Sequence, residues 1–216
     1  MSTKRLRTSS VSTLALMGAV MLSAVNREAL ADEIDGAAKL RAQKVAITVC
    51  GTCHGASGNS TQPKFPRLAG QKASYLVAQL KGFRAQTRGD PDAISYMWGM
   101  ASELDDPTIE ALAAYYAAQK PEPSSSGGSP LVAPGGEIYE HGIANEGVPA
   151  CSSCHGPDAH GLQEFPRLAG QHGQYVLKQL SSFQSNMRNV AVMHGVAQNL
   201  RTPEMQAVAA YLEAQP

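Results

Sequence analysis

Two hexapeptides, CGTCHG at Cys50–Gly55 and CSSCHG at Cys151–Gly156, contain all four cysteines of the 216-residue chain. In each, two residues separate the thiols and a histidine follows at once. Three chemistries use such a pair: a zinc site, a thiol–disulfide exchange site and covalent attachment of haem. Zinc takes four ligands, commonly from two C-x-x-C pairs about 12–20 residues apart, whereas these pairs belong to separate parts of the chain. A redox dithiol opens a helix in a domain that contains strands. No stretch here alternates as a strand, and that chemistry gives the histidines no task. A structural disulfide across two residues closes too small a loop to gain much entropy. Covalent haem uses every fixed residue: Cys50 and Cys53 bond the two vinyl groups of one haem and His54 reaches its iron, while Cys151, Cys154 and His155 do the same for a second.

The elements that must position these residues come as a repeat. FPRLAGQ stands at Phe65–Gln71 and again, unchanged, at Phe165–Gln171. YLVAQLKGF (Tyr75–Phe83) matches YVLKQLSSF (Tyr175–Phe183), and AAYYAAQKP (Ala113–Pro121) matches AAYLEAQP (Ala209–Pro216). Tyr75, Leu76, Gln79, Leu80 and Phe83 recur at helical spacing, as do their counterparts. DDPTIEALAAYYAAQ opens with Asp105 and Asp106 as candidate caps and a proline in the first turn, and TPEMQAVAAYLEAQ repeats the signal with Thr202 and Pro203. DGAAKLRAQKVAITVC leads into the first cysteine pair as helix, and GGEIYEHGIANEG into the second in more broken form. Between the halves, PEPSSSGGSP reads as an exposed linker. The expected divisions are a signal segment 1–31, a domain 32–121, a linker 122–130 and a domain 131–216. Each half is small and loop-rich, so a large apolar cofactor at its centre would complete a thin core.

Low-spin haem iron in an electron carrier takes a second axial ligand, Met or His. Aligning back from the final helices sets MWGMASEL (Met97–Leu104) against MHGVAQNL (Met193–Leu200). Met97 then pairs with Met193 in what reads as a loop between helices, with Gly99 and Gly195 allowing a tight turn just beyond. Met100 faces Val196, Met187 has no methionine partner, and Met205 lies on the last helix as core. His194 adjoins Met193 and is expected to point elsewhere; His141, His160 and His172 lack counterparts and are expected at the solvated surface.

The first residues carry Lys4, Arg5 and Arg7, then an apolar run, then Ala29–Ala31, the layout of a cleaved export signal. The run is too short to span a bilayer. Without residues 1–31, which hold those three cations, Arg27 and Glu28, the 18 basic and 18 acidic side chains fall to 14 and 17, a net charge of −3. Such a surface speaks against nucleic-acid binding. Export also places the thiols in an oxidising compartment, where they persist only when bonded.

With CGTCHG followed by Gly58-Asn59-Ser60, the paired FPRLAGQ, the Tyr-x-x-x-Gln-Leu helices and the Met-x-Gly segments, the chain resembles the dihaem cytochrome c4 family. The resemblance covers nearly all of the mature chain. It implies an all-α fold of two tandem class I cytochrome c-like domains, each wrapped around one covalent haem c. It implies His/Met ligation at both irons, from His54 with Met97 and His155 with Met193, and haems brought near each other by the domain interface. It further implies that the Pro66 and Pro166 carbonyls hold the proximal histidines and that Leu68 and Leu168 pack on the haem faces. The expected function is a periplasmic one-electron carrier rather than an enzyme. Its donor would be a membrane quinol-oxidising complex or dehydrogenase, its acceptor a terminal oxidase, with loose peripheral membrane association allowed. The rivals are a dihaem peroxidase or sulfur-compound oxidase, and a cytochrome subunit fixed to a membrane dehydrogenase. The second half is four residues shorter before Met193, which bears on whether the two haems share one potential.

Overall fold

The computed structural model describes residues 36–123 and 128–216. The expected signal segment and residues 124–127 of the expected linker lie outside them. Among the described residues there is no strand, only an isolated bridge between Ile143 and Val148, and no helix is long and apolar enough to cross a membrane.

In the first half, helix α1 runs over 36–54 and changes pitch on the way: residues 46–50 form a π turn, and Gly51–His54 resume the α form. The Gly51 N–H donates to the Ala46 carbonyl, which also accepts the buried Tyr116 hydroxyl at 3.2 Å. π turns cluster at functional sites, and this one delivers the first cysteine. Then come α2 (Ala73–Arg84), α3 (a π turn Ala93–Met97 running into Trp98–Ala101) and α4 (Asp106–Ala117). The expected cap of α4 is present: the Asp105 carboxylate accepts from Thr108 N at 2.9 Å, as an N-cap side chain should. Ala42 and Ala46 let α1 cross closely over Leu112, Ala113 and Tyr116 of α4.

The second half has α5 (Val132–His141), α6 (Ser152–His155), α7 (Gly173–Gln184), α8 (Ala191–Ala197) and α9 (Thr202–Ala214). Its leading segment is broken, as the sequence suggests, by the loop and 3-10 turn (Ala144–Glu146) between α5 and α6. Where α5 crosses α9, a Cβ on Gly135 would stand 2.0 Å from the Ala207 carbonyl, so only glycine permits the contact. Met205 is core, as expected. One cap differs from expectation. Thr202 is already helical, and the N-cap is Arg201, whose backbone N–H donates to the Glu204 carboxylate at 2.7 Å.

The two halves meet through polar groups arranged about a local two-fold. The Gln71 amide donates to the Arg167 carbonyl and accepts from Arg167 N, both at 2.9 Å; Gln171 makes the same two bonds, at the same distance, with Arg67. A second cluster lies beside the first. Arg88 donates to Gln79, Gln179 and the Tyr175 hydroxyl, and Arg188 donates to Gln179, Gln79 and the Tyr75 hydroxyl. Asp92 also pairs with Lys178 across the halves. Polar faces of this kind are usual between domains of one chain.

His172 corrects an expectation. It is not at the solvated surface but 6% exposed, with Nε2 2.9 Å from the Ser60 carbonyl of the other half. Burial lowers its pKa, as does Arg67, against the raising influence of the Ser60 bond and Glu213.

These contacts give two expectations. Gln71→Ala leaves the Arg167 N–H and carbonyl without their partner, at a cost of about 1–3 kcal/mol. Calorimetry of the holoprotein should show the thermal midpoint falling by about 2–4 °C per kcal/mol, and Gln171→Ala should match it. For His172, the native state resists a proton that the unfolded chain accepts. Its contribution to stability is therefore intact above the ordinary imidazole range and lost as pH falls through that range. Between pH 7 and pH 5 the thermal midpoint should drop, and His172→Gln should flatten the drop.

Candidate haem sites

The final turns of α1 and α6 present the two motifs. No disulfide joins any of the four cysteines. Burial raises the pKa of Cys50 and pushes Cys151 up to about 11. The histidines that follow are buried, and burial lowers their pKa despite the hydrogen bond that each makes. That bond is from His54 Nδ1 to the Pro66 carbonyl at 2.8 Å, and from His155 Nδ1 to the Pro166 carbonyl at 3.0 Å. A carbonyl only accepts, so Nδ1 carries the proton and Nε2 presents its lone pair, the arrangement in which an imidazole binds a metal. Each ring also stands edge-on to a phenylalanine, Phe65 or Phe165, with centroids 6.0 Å apart.

The surrounding backbone is held by different groups doing the same task. The Cys53 carbonyl accepts from the Ser60 hydroxyl at 3.2 Å, and the Cys154 carbonyl accepts from Leu162 N at 3.0 Å. After the first motif the chain turns at Gly58, φ +77°, where a Cβ would meet Ala69 N and Tyr116 at 2.8 Å.

The other predicted residues gather around the same places. In the second half Cys151, Leu168 and Met193 all pack against one core cluster. In the first half Cys50 and Leu68 pack on one cluster and Met97 on its neighbour, the two sharing Leu80 and Leu104. The competing methionines stand apart: Met100 is 58% and Met187 49% exposed. His194 points away from the site, its Nδ1 bonding the Phe183 carbonyl at 2.9 Å. Two expectations about local structure fail. Met97 ends a π turn and Met193 lies inside α8, so neither is in a loop. Gly99 and Gly195 are helical, with open space where a Cβ would project, so no tight turn explains them.

Haem c fits this donor set. In each half the thiol pair would supply two thioether sulfurs, and a histidine of fixed tautomer and a methionine packed on the apolar cluster would be available to hold its iron. Among the described residues no three or more His, Cys, Asp or Glu side chains gather as a cage for a bare metal ion. Sequence reasoning missed the Arg88–Arg188 cluster between the halves. Its signal was present, since Arg88 and Arg188 hold matching places in the repeat.

Comparison with known proteins agrees with this geometry. The family described as Cytochrome c matches twice, at residues 40–119 and 132–215. The chain is 41% identical to cytochrome c-552 of Acidithiobacillus ferridurans over 204 residues, covering 94% of this chain and 87% of that one. It is 38% identical to cytochrome c4 of Stutzerimonas stutzeri, covering 77% and 84%. It is 37% identical to a thiosulfate dehydrogenase electron acceptor of Thiomonas intermedia, covering 77% and 78%. Among solved structures, cytochrome c4 of Acidithiobacillus ferrooxidans superposes with a TM-score of 0.73 at 43% identity, covering 76% of this chain and 98% of that one.

Denaturing mass spectrometry of the exported protein should give the polypeptide from Asp32 plus two haem masses. Replacing Cys151 and Cys154 by alanine should remove one haem and leave the other attached.

Proposed function

The chain belongs to the cytochrome c family, as a two-domain cytochrome c4 that binds two haem c groups and transfers electrons, and on that premise we propose its ligands, its domain limits and its place between redox partners. The axial pairs are His54 with Met97 and His155 with Met193. Pro66 and Pro166 orient the histidines, and Leu68 and Leu168 pack on the haem faces. The domains run over 32–121 and 131–216, joined by a linker over 122–130, close to the limits of the two family matches. After export to the periplasm, the protein takes single electrons from a membrane quinol-oxidising complex or dehydrogenase and passes them toward a terminal oxidase.

One observation carries the reading: in each half an imidazole is fixed by a proline carbonyl and a methionine packs against an apolar cluster of the same half. When bound, each haem supplies a one-electron couple at its iron. The residues of the chain do the rest. Cys50, Cys53, Cys151 and Cys154 anchor the group covalently. The Nδ1–H bonds keep Nε2 aimed in one direction and make the imidazole a better donor. The apolar clusters exclude water, and rigid ligands hold the site to one geometry in both oxidation states. A site filled on both faces leaves no place for a substrate, which favours a carrier over a dihaem oxidase or peroxidase. A dehydrogenase as donor is in keeping with the name of the Thiomonas relative, an electron acceptor.

Iron–sulfur bonding in class I cytochromes gives a weak far-red absorption band in the oxidised state. The band should weaken in Met97→Ala, weaken likewise in Met193→Ala, and vanish in the double variant. Met100→Ala and Met187→Ala should keep it in full. A band unchanged in either of the first two variants would remove that residue from the ligand set.

A further inference from the structure

Each half ties its methionine-bearing segment to the end of the preceding helix at two points. The residue directly after the methionine makes the first tie. In the first half the Trp98 indole N–H donates to the Arg88 carbonyl at 2.8 Å. In the second half His194 stands in that place, with Nδ1 2.9 Å from the Phe183 carbonyl. A carbonyl only accepts, so Nδ1 carries the proton there. Both carbonyls lie where the preceding helix finishes, α2 at Arg84 and α7 at Gln184. Those two helix-ending residues make the second tie. Arg84 donates to the Leu104 carbonyl at 2.7 Å, and Gln184 donates to the Ala197 and Leu200 carbonyls at 3.2 and 2.7 Å. Arg84 and Gln184 hold matching places in the repeat, as do Leu104 and Leu200.

The bonds recur although the residues differ. An indole in one half and an imidazole in the other have in common an N–H aimed at a main-chain carbonyl. So do a guanidinium and a carboxamide. Different side chains that arrive at the same bond point to the bond as the feature the site uses. The segments also need an outside hold. Met97 is followed by a helical stretch of four residues, and Met193 lies in a helix of seven. A helix shorter than about 12 residues is marginal by itself, and Gly99 and Gly195 add backbone freedom. Trp98 and His194 are both partly buried, and Trp98 packs in one cluster with Met97 and Phe83.

We propose that Trp98 and His194 are positioning residues for the distal ligands. Each ring N–H, backed by the tie from Arg84 or Gln184, pins the residue beside its methionine to the preceding helix end and so limits how often the sulfur leaves the iron. This rests on the ligation proposed above. A thioether is a soft ligand and suits Fe(II) better than Fe(III), so in the oxidised state the chain must do more of the holding. For the sulfur to leave, its segment must swing away from the end of α2 or α7, and that movement breaks the ring N–H bond. The bond therefore adds to the cost of opening. The proximal side uses the same device, a ring N–H on a carbonyl, except that there the bonded ring is itself the ligand.

The test is the rate at which imidazole replaces methionine in the oxidised holoprotein, with nuclear magnetic resonance of the haem methyl signals assigning each event to its haem. Imidazole enters only while the sulfur is off the iron, so this rate follows local opening rather than overall stability. Trp98→Phe keeps an aromatic ring and loses the N–H. It should speed entry at the haem on Cys50 and Cys53 about three- to tenfold, the worth of one ordinary hydrogen bond, and leave the other haem unchanged. His194→Leu should do the same at the haem on Cys151 and Cys154, whereas His194→Asn, whose amide donates from the place of Nδ1, should keep the wild-type rate. Gln184→Met removes the second tie without touching either ring. It should speed entry at the second haem alone, and it keeps the test open should the ring variants fold poorly. The inference is overturned if Trp98→Phe and His194→Leu retain both far-red bands and the wild-type rates, if either speeds both haems alike, or if His194→Asn is as fast as His194→Leu. Absence of those bands from the wild type would instead refute the ligation, and this inference with it.

Discussion

The hydrogen bond from a histidine Nδ1–H to a proline carbonyl is the contact on which the rest of each half turns. It sets the imidazole tautomer and its direction, and it does so from within FPRLAGQ, the one heptapeptide that is identical in the two halves. The other residues of that segment are occupied as well. Arg67 and Gln71 bond Gln171 and Arg167 of the opposite half. Gly70 N donates to the Tyr116 carbonyl near the end of α4, and Gly170 N to the Leu212 carbonyl near the end of α9. A single short loop therefore ties the proximal ligand to the last helix of its own domain and to the neighbouring domain. Most of these bonds use backbone groups; the side chains that they fix are those of Gln71 and Gln171, and Gly70 and Gly170 are held to glycine by φ of 64° and 68°.

Much of this was legible in the sequence, because the signals were local. The C-x-x-C-H motifs, the helical spacing of Tyr75 to Phe83 and the Asp105–Pro107 helix start depend on neighbours within a turn or two. The features that were misread depend on placement across the fold. His172 has no counterpart in the repeat and so looked like a surface residue, yet the two-fold docking carries it under Ser60 of the other half. Met97 and Met193 looked like loop residues because glycines follow them at two positions. Those glycines are tolerated inside helical turns, and a π turn, which no propensity scale anticipates, sets the register of Met97. The Arg88–Arg188 cluster was visible only as a repeated pair of letters. Nothing short of the docked halves shows that the two side chains meet.

Burying two arginines between domains is costly unless their donors are satisfied. Here the partners are largely neutral: amide oxygens of Gln79 and Gln179 and hydroxyls of Tyr75 and Tyr175. Burial raises the Tyr75 hydroxyl pKa, but the two guanidinium groups outweigh it and leave the net shift downward. Such directional, fully crossed bonds add little to net stability, since water made comparable ones before docking. What they define is orientation. A displacement of either half breaks several bonds to buried charge at once, so the relative position of the domains is held more sharply than a linker or a greasy contact would hold it. For a protein that carries two redox centres, a fixed separation matters more than a tight one.

A contact built from the same surface on both partners is self-complementary, as in a symmetric dimer. Duplication of one small domain would supply both faces together, and the linker would then raise their effective concentration. The symmetric bonds of Gln71 with Arg167 and Gln171 with Arg67 have the character of that shared origin. Against that background the positions that differ carry the information. At the interface His172 stands where the first half has Lys72, and its ring reaches the Ser60 carbonyl. It puts an imidazole on one side of the interface where the other side has an ammonium. Two copies of one domain that remained identical would hold two equivalent centres with no preferred direction between them. A difference at the interface is enough to make the two halves unequal while the proline contacts to His54 and His155 stay the same.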